Sequence, residues 1–584
     1  MNNFKKQILG INESDSFLRE LCKISPQEED DLKTFYQTVA SLHNNNEINF
    51  IKEILNISNK DGIFFTVKYM FEKILPDLDV PIQQSMECVR FVFQESGDDM
   101  SAGMVFSSFV EYCEKDENRI KEALQIINND ISWYRFIPSI VRAGSKFDLD
   151  KYVKIAIEFI KHSDTNICKE AVFSLGKRQY ENHPILLNQS FQAIKSILET
   201  TDNSGILSTS IEAIFTLSTF DNALEDEAVQ LIKIALENSD DDVLYGASNL
   251  CCNQREKLPI KLFKVLLQGL ERVNYQQKET IRNIDYGLQY LLEKNQEMVV
   301  AYLEKVLTRN QELSIKSFES LLQDLYQKHS DLLNQIITKW FVSGDIDLCE
   351  AIEEAIEEAI IFFNGDKMIL SASISQLEEQ NSITHLFVIR KAIGWLFYLP
   401  ISAVSFIVSM IEILDKDNIK EVEDLLFSFF LVSYPKSVRA YLKSIEKPKT
   451  KTKKVISNLL KRLEEYRSDL NSASNIKELR PSQEQRESSS RLYNQQFSKT
   501  TQESKEDSIS SFVSEFTFLY GRKSVFYHPR LGSNPKDIRQ EIDIRQEMIP
   551  QKIELSVEYP SLDFIDPYCL DFMLYVFKNE QLKK

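Results

Sequence analysis

One phrase recurs along most of this chain and leaves it few folds to choose from. An amphipathic run ends on a large apolar residue, Asp or Asn follows a few residues later, and a second apolar-periodic run begins. Phe93 is followed in this way by Asp98, Ile126 by Asp130, Ile160 by Asp164, Leu198 by Asp202 and Leu236 by Asp240. Further on come Leu270 and Asn274, Phe341 and Asp345, Leu377 and Asn381, and Leu414 and Asn418. Leu55 before Asn59 and Leu307 before Asn310 keep the phrase at a slightly different spacing. Neighbouring anchors stand about 33 to 38 residues apart, the period of a helix–turn–helix repeat. The Asp or Asn can cap the second helix by accepting from a free backbone N–H, worth roughly 1 kcal/mol each. Pro81, Pro184, Pro259 and Pro400 stand about 11 to 14 residues before an anchor, at the first turn of the first helix, where a missing N–H costs nothing.

Composition agrees with a helical stack, because only 15 glycines and 15 prolines serve 584 residues and tight turns must be few. Small residues fall where second helices would pack closely, as in Ile167-Ala171-Leu175 and Val243-Ala247-Cys251. In period, caps and packing the stretch from about residue 46 to 445 resembles the HEAT repeat family, although the basic residue common in that family's second helices is irregular here. The expected fold class is all-α: a HEAT-like α-solenoid over 46–467 with a helical cap over 1–45. A flexible polar linker over 468–510 and a small aromatic-rich, strand-containing module over 511–584 would follow. Stacked repeats bury their apolar faces only against neighbours, which predicts a curved body whose concave surface binds proteins or, less commonly, nucleic acid.

A net charge of −19 favours solubility and repels bulk nucleic acid and anionic lipid unless a local basic patch intervenes. Eight scattered cysteines without a C-x-x-C read as reduced thiols of a cytoplasmic protein. The N-terminal residues lack the apolar core of a signal peptide. Between Lys391 and Glu412 runs AIGWLFYLPISAVSFIVSMI, uncharged and about long enough to span a bilayer. The repeat frame divides it instead into a second helix over 383–398 and a first helix opened by Pro400. No membrane span is expected.

Two charge features offer partner sites. In CEAIEEAIEEAIIFF, Ala351, Ala355, Ala359 and Ile352, Ile356, Ile360 share one helix face. Glu350, Glu353, Glu354, Glu357 and Glu358 line the other, an acidic ridge for a basic partner segment or simply a solvated face. The basic stretch EKPKTKTKK brings together Lys447, Lys449, Lys451, Lys453 and Lys454 as phosphate contacts or as an exposed loop. No aromatic residues interleave with these lysines, so base stacking is unsupported.

Past Arg467 the apolar periodicity stops in a Ser/Gln/Glu-rich stretch. SSFVSEFTFLYG then alternates Phe512, Phe516, Phe518 and Tyr520 with other residues, the pattern of a strand. KSVFYH and KIELSVEY read as further strands, and PYCLDFMLYVFKNEQL as strand or helix. DIRQEI followed at once by DIRQEM is a tandem duplication best tolerated in a loop. A module this small is marginal alone, which predicts a partner-binding or clasping tail.

Phosphate-loop, dinucleotide, zincin and nucleophile-elbow motifs are absent, and the six histidines stand apart from one another and from the cysteines. No catalytic, cofactor-binding or metal residue is nominated. Three readings remain: a non-enzymatic scaffold or adaptor with a protein partner, a nucleic-acid-associated subunit using 447–454, and an enzyme whose site converges from distant repeats.

Overall fold

A computed structural model describes residues 2–12, 16–97, 99, 101–238, 240–362, 368–479, 481–506, 524–526, 546–548, 558 and 560–582. Backbone contacts divide the chain into two units. The first is Met1–Leu313 with Ser317–Leu321, and the second is Ser314–Lys316 with Leu322–Lys584.

The first unit opens with α1 (Asn2–Ile11), α2 (Phe17–Ile24), α3 (Glu29–Asn44), α4 (Phe50–Ile54), α5 (Phe64–Ile74) and α6 (Ile82–Glu95). It continues through α7 (Met104–Cys113), α8 (Glu117–Asn129), α9 (Ile137–Ser145), α10 (Leu149–Ile160), α11 (Thr165–Gly176) and α12 (Pro184–Leu198). It ends with α13 (Ser204–Ser218), α14 (Glu225–Ala235), α15 (Asp241–Asn253), α16 (Ile260–Leu270), α17 (Lys278–Leu292) and α18 (Gln296–Arg309). Successive odd-numbered helices from α3 to α17 pack on one another in one row, and even-numbered helices such as α10, α12, α14, α16 and α18 form the other. This is the stacking of an α-solenoid.

The anchors end first-row helices as expected, and the caps show why the second row starts where it does. Asp164 accepts from Asn166 N at 2.9 Å and Ile167 N at 3.2 Å, and Asp240 accepts from Asp242 N at 3.0 Å. Elsewhere the cap moves: Asn203, not Asp202, receives Ile206 N. The row of second helices is tight because side chains are missing at its crossings. A Cβ on Gly176 would stand 2.7 Å from Ala213 Cβ, and one on Gly246 would stand 2.4 Å from Ser208 Oγ. Cys88, Cys113 and Cys349 are buried thiols pushed up to about 12 by desolvation, so they are structural apolar groups.

The remaining helices are α19 (Glu319–Gln327), α20 (Ser330–Ser343), α21 (Ile346–Phe362), α22 (Ile374–Glu378), α23 (Ser382–Leu396), α24 (Pro400–Met410) and α25 (Lys416–Leu425). After them come α26 (Ser437–Ser444), α27 (Thr450–Ser474), α28 (Gln483–Glu506), α29 (Leu562–Ile565) and α30 (Pro567–Asn579). Leu426–Leu431 prolongs α25 as a π-helical turn. In the second unit α21, α23 and α25 form one row, with α20, α24 and α26 behind. Asp345 caps α21 and Asn381 caps α23, while Asp415 takes the place expected of Asn418 on α25. One first-row helix is nearly replaced by extended chain. Its backbone N–H groups from Leu370 to Ser373 donate alternately to Ser405 and Ser409 on α24 and to Asn334 and Thr338 on α20.

The uncharged run is α23 and α24, with Pro400 opening the second. No helix among the described residues is long and apolar enough to cross a membrane.

The structure does not support a strand-containing module over 511–584. Phe512, Phe516, Phe518 and Tyr520 lie outside the described residues, as does nearly all of KIELSVEY. Two three-residue strands are described, β1 (Ser524–Phe526) and β2 (Gln546–Met548), paired antiparallel with Val525 opposite Glu547. The second of these takes the end of the duplicated hexapeptide, which was expected in a loop. PYCLDFMLYVFKN is helical because Asp566 caps it through Cys569 N at 3.1 Å and Pro567 sits at its first turn. Within 468–510 the chain is helical in the last part of α27 and in α28, whose residues are rich in Glu, Gln, Arg and Ser.

Candidate functional site

The acidic ridge lies on α21 as the periodicity predicts, with Ala351, Ile352, Ala355, Ile356 and Ala359 buried beneath it. Its carboxylates are largely engaged within the second unit. Glu354 accepts from Ser314 Oγ at 2.8 Å and Ile315 N at 3.3 Å, and Glu357 pairs with Lys316 at 3.2 Å. Glu350 is exposed, and Glu358 is half-buried with a partner of its own. Glu353 reaches out of its repeat to Lys578 Nζ on α30 at 3.1 Å.

That ion pair belongs to a larger docking site. The segment from Glu558 to Glu580 runs over the second unit and seats α30 on α23. At its start Glu558 accepts from Lys436 N at 2.8 Å and Ser437 N at 2.9 Å, at the first turn of α26. Ser561 N donates to Ser433 O at 3.1 Å. Leu570, Leu574 and Phe577 point inward and are buried, and the Phe577 ring lies 5.6 Å from that of Phe429. At the far end Arg390 holds Glu580 with two parallel hydrogen bonds, Nε to Oε2 at 2.8 Å and Nη2 to Oε1 at 2.7 Å. Lys391 Nζ donates to Lys578 O at 2.5 Å, and the Lys578 ammonium sits 4.2 Å from the Trp395 ring centroid.

Gly394 makes this approach possible: a Cβ there would stand 3.0 Å from both Lys578 N and Phe577 Cβ. Burial pushes Glu353 above the usual carboxylate range, against the opposing pull of Lys578, and it lowers the Lys391 ammonium. The apolar run on α23 now has its physical reason. From Lys391 to Leu396 every residue of α23 is buried, so this part of the helix is covered on all sides, and α30 supplies cover that neighbouring repeats do not.

The same segment carries a titrating group. Burial, with Asp571 nearby, pushes Asp563 up to about 6. Tyr398 and Tyr434 face it too, both raised mainly by burial and partly by the Asp563 charge. A carboxyl with a raised folded value contributes most below its unfolded value of about 4 and loses that contribution as pH rises through about 6. The C-terminal segment should therefore be held more firmly at pH 5 than at pH 7.5. Amide hydrogen exchange in α30 at the two pH values, corrected for intrinsic rate, measures this. Asp563→Asn should reduce the difference to the part that Glu353 contributes, and an unchanged difference would assign it to other groups.

The basic stretch divides between loop and helix. Lys447 and Lys449 precede α27, Lys451 and Lys453 lie in its first turn, and Lys454 follows at its fifth residue. Lys451 is partly committed, since its Nζ donates to Glu412 O at 2.9 Å and Leu414 O at 2.8 Å. The other four are exposed and form no ion pair among the described residues.

Arg390, Gly394 and Trp395 were not nominated from the sequence, and Lys391 served there only to bound the uncharged run. The adjacent charges of Arg390 and Lys391 within an otherwise uncharged helix were the signal available. No known family model matches this chain, and neither does any curated protein. Among solved structures, an engineered protein aligns over 80% of this chain and 99% of its own at 12% identity, with a TM-score of 0.22. So low a score carries no argument about fold or function.

Proposed function

We propose that the chain is a HEAT-like, non-enzymatic scaffold of the cytoplasm that binds a protein partner on the α21–α23 face and through its C-terminal segment. The observation that carries this reading is the seating of α30. The face accepts a helix through apolar packing with Leu570, Leu574 and Phe577 and through charged pairs at Glu353 and Arg390, a recurrent mode of helix recognition.

A second reading has one observation of its own. Lys453 and Lys454 place positive charge at the start of α27, where it opposes the helix dipole at about 0.3–1 kcal/mol each. Sequence that costs helix stability in this way suits a contact with phosphate.

The test is recovery of the tagged full-length chain from its native cells through a moderate-salt wash, after chemical crosslinking. A stoichiometric protein crosslinked to α21, α23 or the C-terminal segment is the expected result. Recovery of nucleic acid alone, lost when Lys447, Lys449, Lys453 and Lys454 are changed to Glu, would replace the first reading with the second. Recovery of the bare chain would overturn both.

A further inference from the structure

The groove under the end of α30 does more than cover apolar surface. Lys391 is wholly buried, and a buried ammonium usually costs stability that an apolar residue of similar size would not. A lid made only for packing has no use for it. The acceptor it meets, Lys578 O, is one of the last carbonyls of α30, which lack partners within their own helix and carry the negative end of its dipole. Arg390 then reads the carboxylate two residues further on, and Glu353 with Trp395 brackets the lysine side chain. Together these groups recognise a helix C-terminus by its chemistry: aromatic, lysine, any residue, acid.

Two observations mark α30 as a displaceable occupant of this groove. The indole Nε1 of Trp395 is buried without an acceptor among the described residues. Among the described residues α30 offers this donor no acceptor, and a ligand that supplies one gains a hydrogen bond there. The outward side of α30 also stays exposed, with Tyr568 at 86% and Tyr575 at 65% of their full accessibility. Among the described residues the helix is held along one side only.

We infer that this groove is a receptor for the C-terminal turn of a protein helix ending in aromatic–Lys–x–acid, and that α30 is its resident occupant. A partner helix of that chemistry takes the site by displacing α30. This deepens the scaffold reading and rests on it, since the displaced segment regulates access to the partner-binding face.

The experiment uses the full-length chain with a protease site introduced between residues 530 and 536. The probe is a synthetic peptide of residues 558–582 labelled at Cys569, whose side chain is exposed. After cleavage the resident fragment should stay bound and then exchange with the labelled peptide. Arg390→Glu should weaken peptide binding by about tenfold or more, as expected for a desolvated charge pair. A peptide carrying Glu580→Arg should recover most of that loss on the Arg390→Glu chain. This rescue separates recognition from misfolding. A fragment that never exchanges from a folded body, or a peptide indifferent to both charge reversals, would overturn the receptor. In that case a protein captured in the crosslinking experiment would still stand, and with it the scaffold reading.

Discussion

Replacing Phe577 by alanine is expected to cost the second unit about 3–5 kcal/mol, the usual range for a buried phenylalanine. The ring is 5% exposed and packs on Phe429, while the backbone beside it lies against Gly394. The nearest position on α23, Gly394, has no side chain to help fill the space. The loss has a ceiling, since α30 is attached along one side and can leave instead of tolerating a cavity. If seating α30 contributes less than the cavity costs, the variant will release the helix. Trypsin will then cut after Lys578 in native buffer. Urea unfolding and timed trypsin digestion together distinguish the two responses, and either differs from wild type. Tyr575→Ala is the control: it removes a ring of similar size from the outward face of the same helix and should stay within about 0.5 kcal/mol. Equal effects from the two substitutions would show that α30 is not seated as described.

Gly176→Leu should be as damaging in the first unit. Its Cβ would stand 2.7 Å from Ala213 Cβ and 2.8 Å from Ala213 Cα, so the obstacle includes backbone that cannot turn aside. The two helices would have to separate, at about 3 kcal/mol or more, the upper part of the range for overpacking. Stacked repeats share stability mainly with their neighbours, and that makes the response local. Hydrogen exchange should accelerate in α11 and α13 and remain near wild type in α3 and α5. Gly103→Ala tests the geometry, since a Cβ there meets nothing within 4 Å and its backbone is helical. A uniform loss of protection throughout the first unit would contradict the repeat description.

Much of the repeat frame could be read along the chain because its signals are local. Asp164, Asp240, Asp345 and Asn381 cap the helices expected of them, since a side-chain oxygen reaches an N–H only two or three residues on. Where two candidates stood close together, sequence chose the wrong one. Asn203 and Asp415 lie immediately before the helix starts, and the displaced Asn418 instead donates to Ser382 O across the repeat at 2.9 Å. The aromatic segment at 567–579 was ambiguous for a related reason. Its apolar residues cover most of the helix surface, so neither period stands out, and capping by Asp566 with packing on α23 selects the helix.

By itself, then, the sequence determined a helical stack: its period, several of its caps, its prolines and the burial of α23 and α24. Each of these follows from contacts within one repeat or between adjacent ones. Only the tertiary structure decided what covers α23 and what the acidic ridge does. Arg390 and Glu580 are 190 positions apart, and Glu353 is 225 from Lys578. Periodicity marks a face as apolar or charged. It carries no information about which distant segment comes to lie there, because that depends on the shape and charge of the assembled surface.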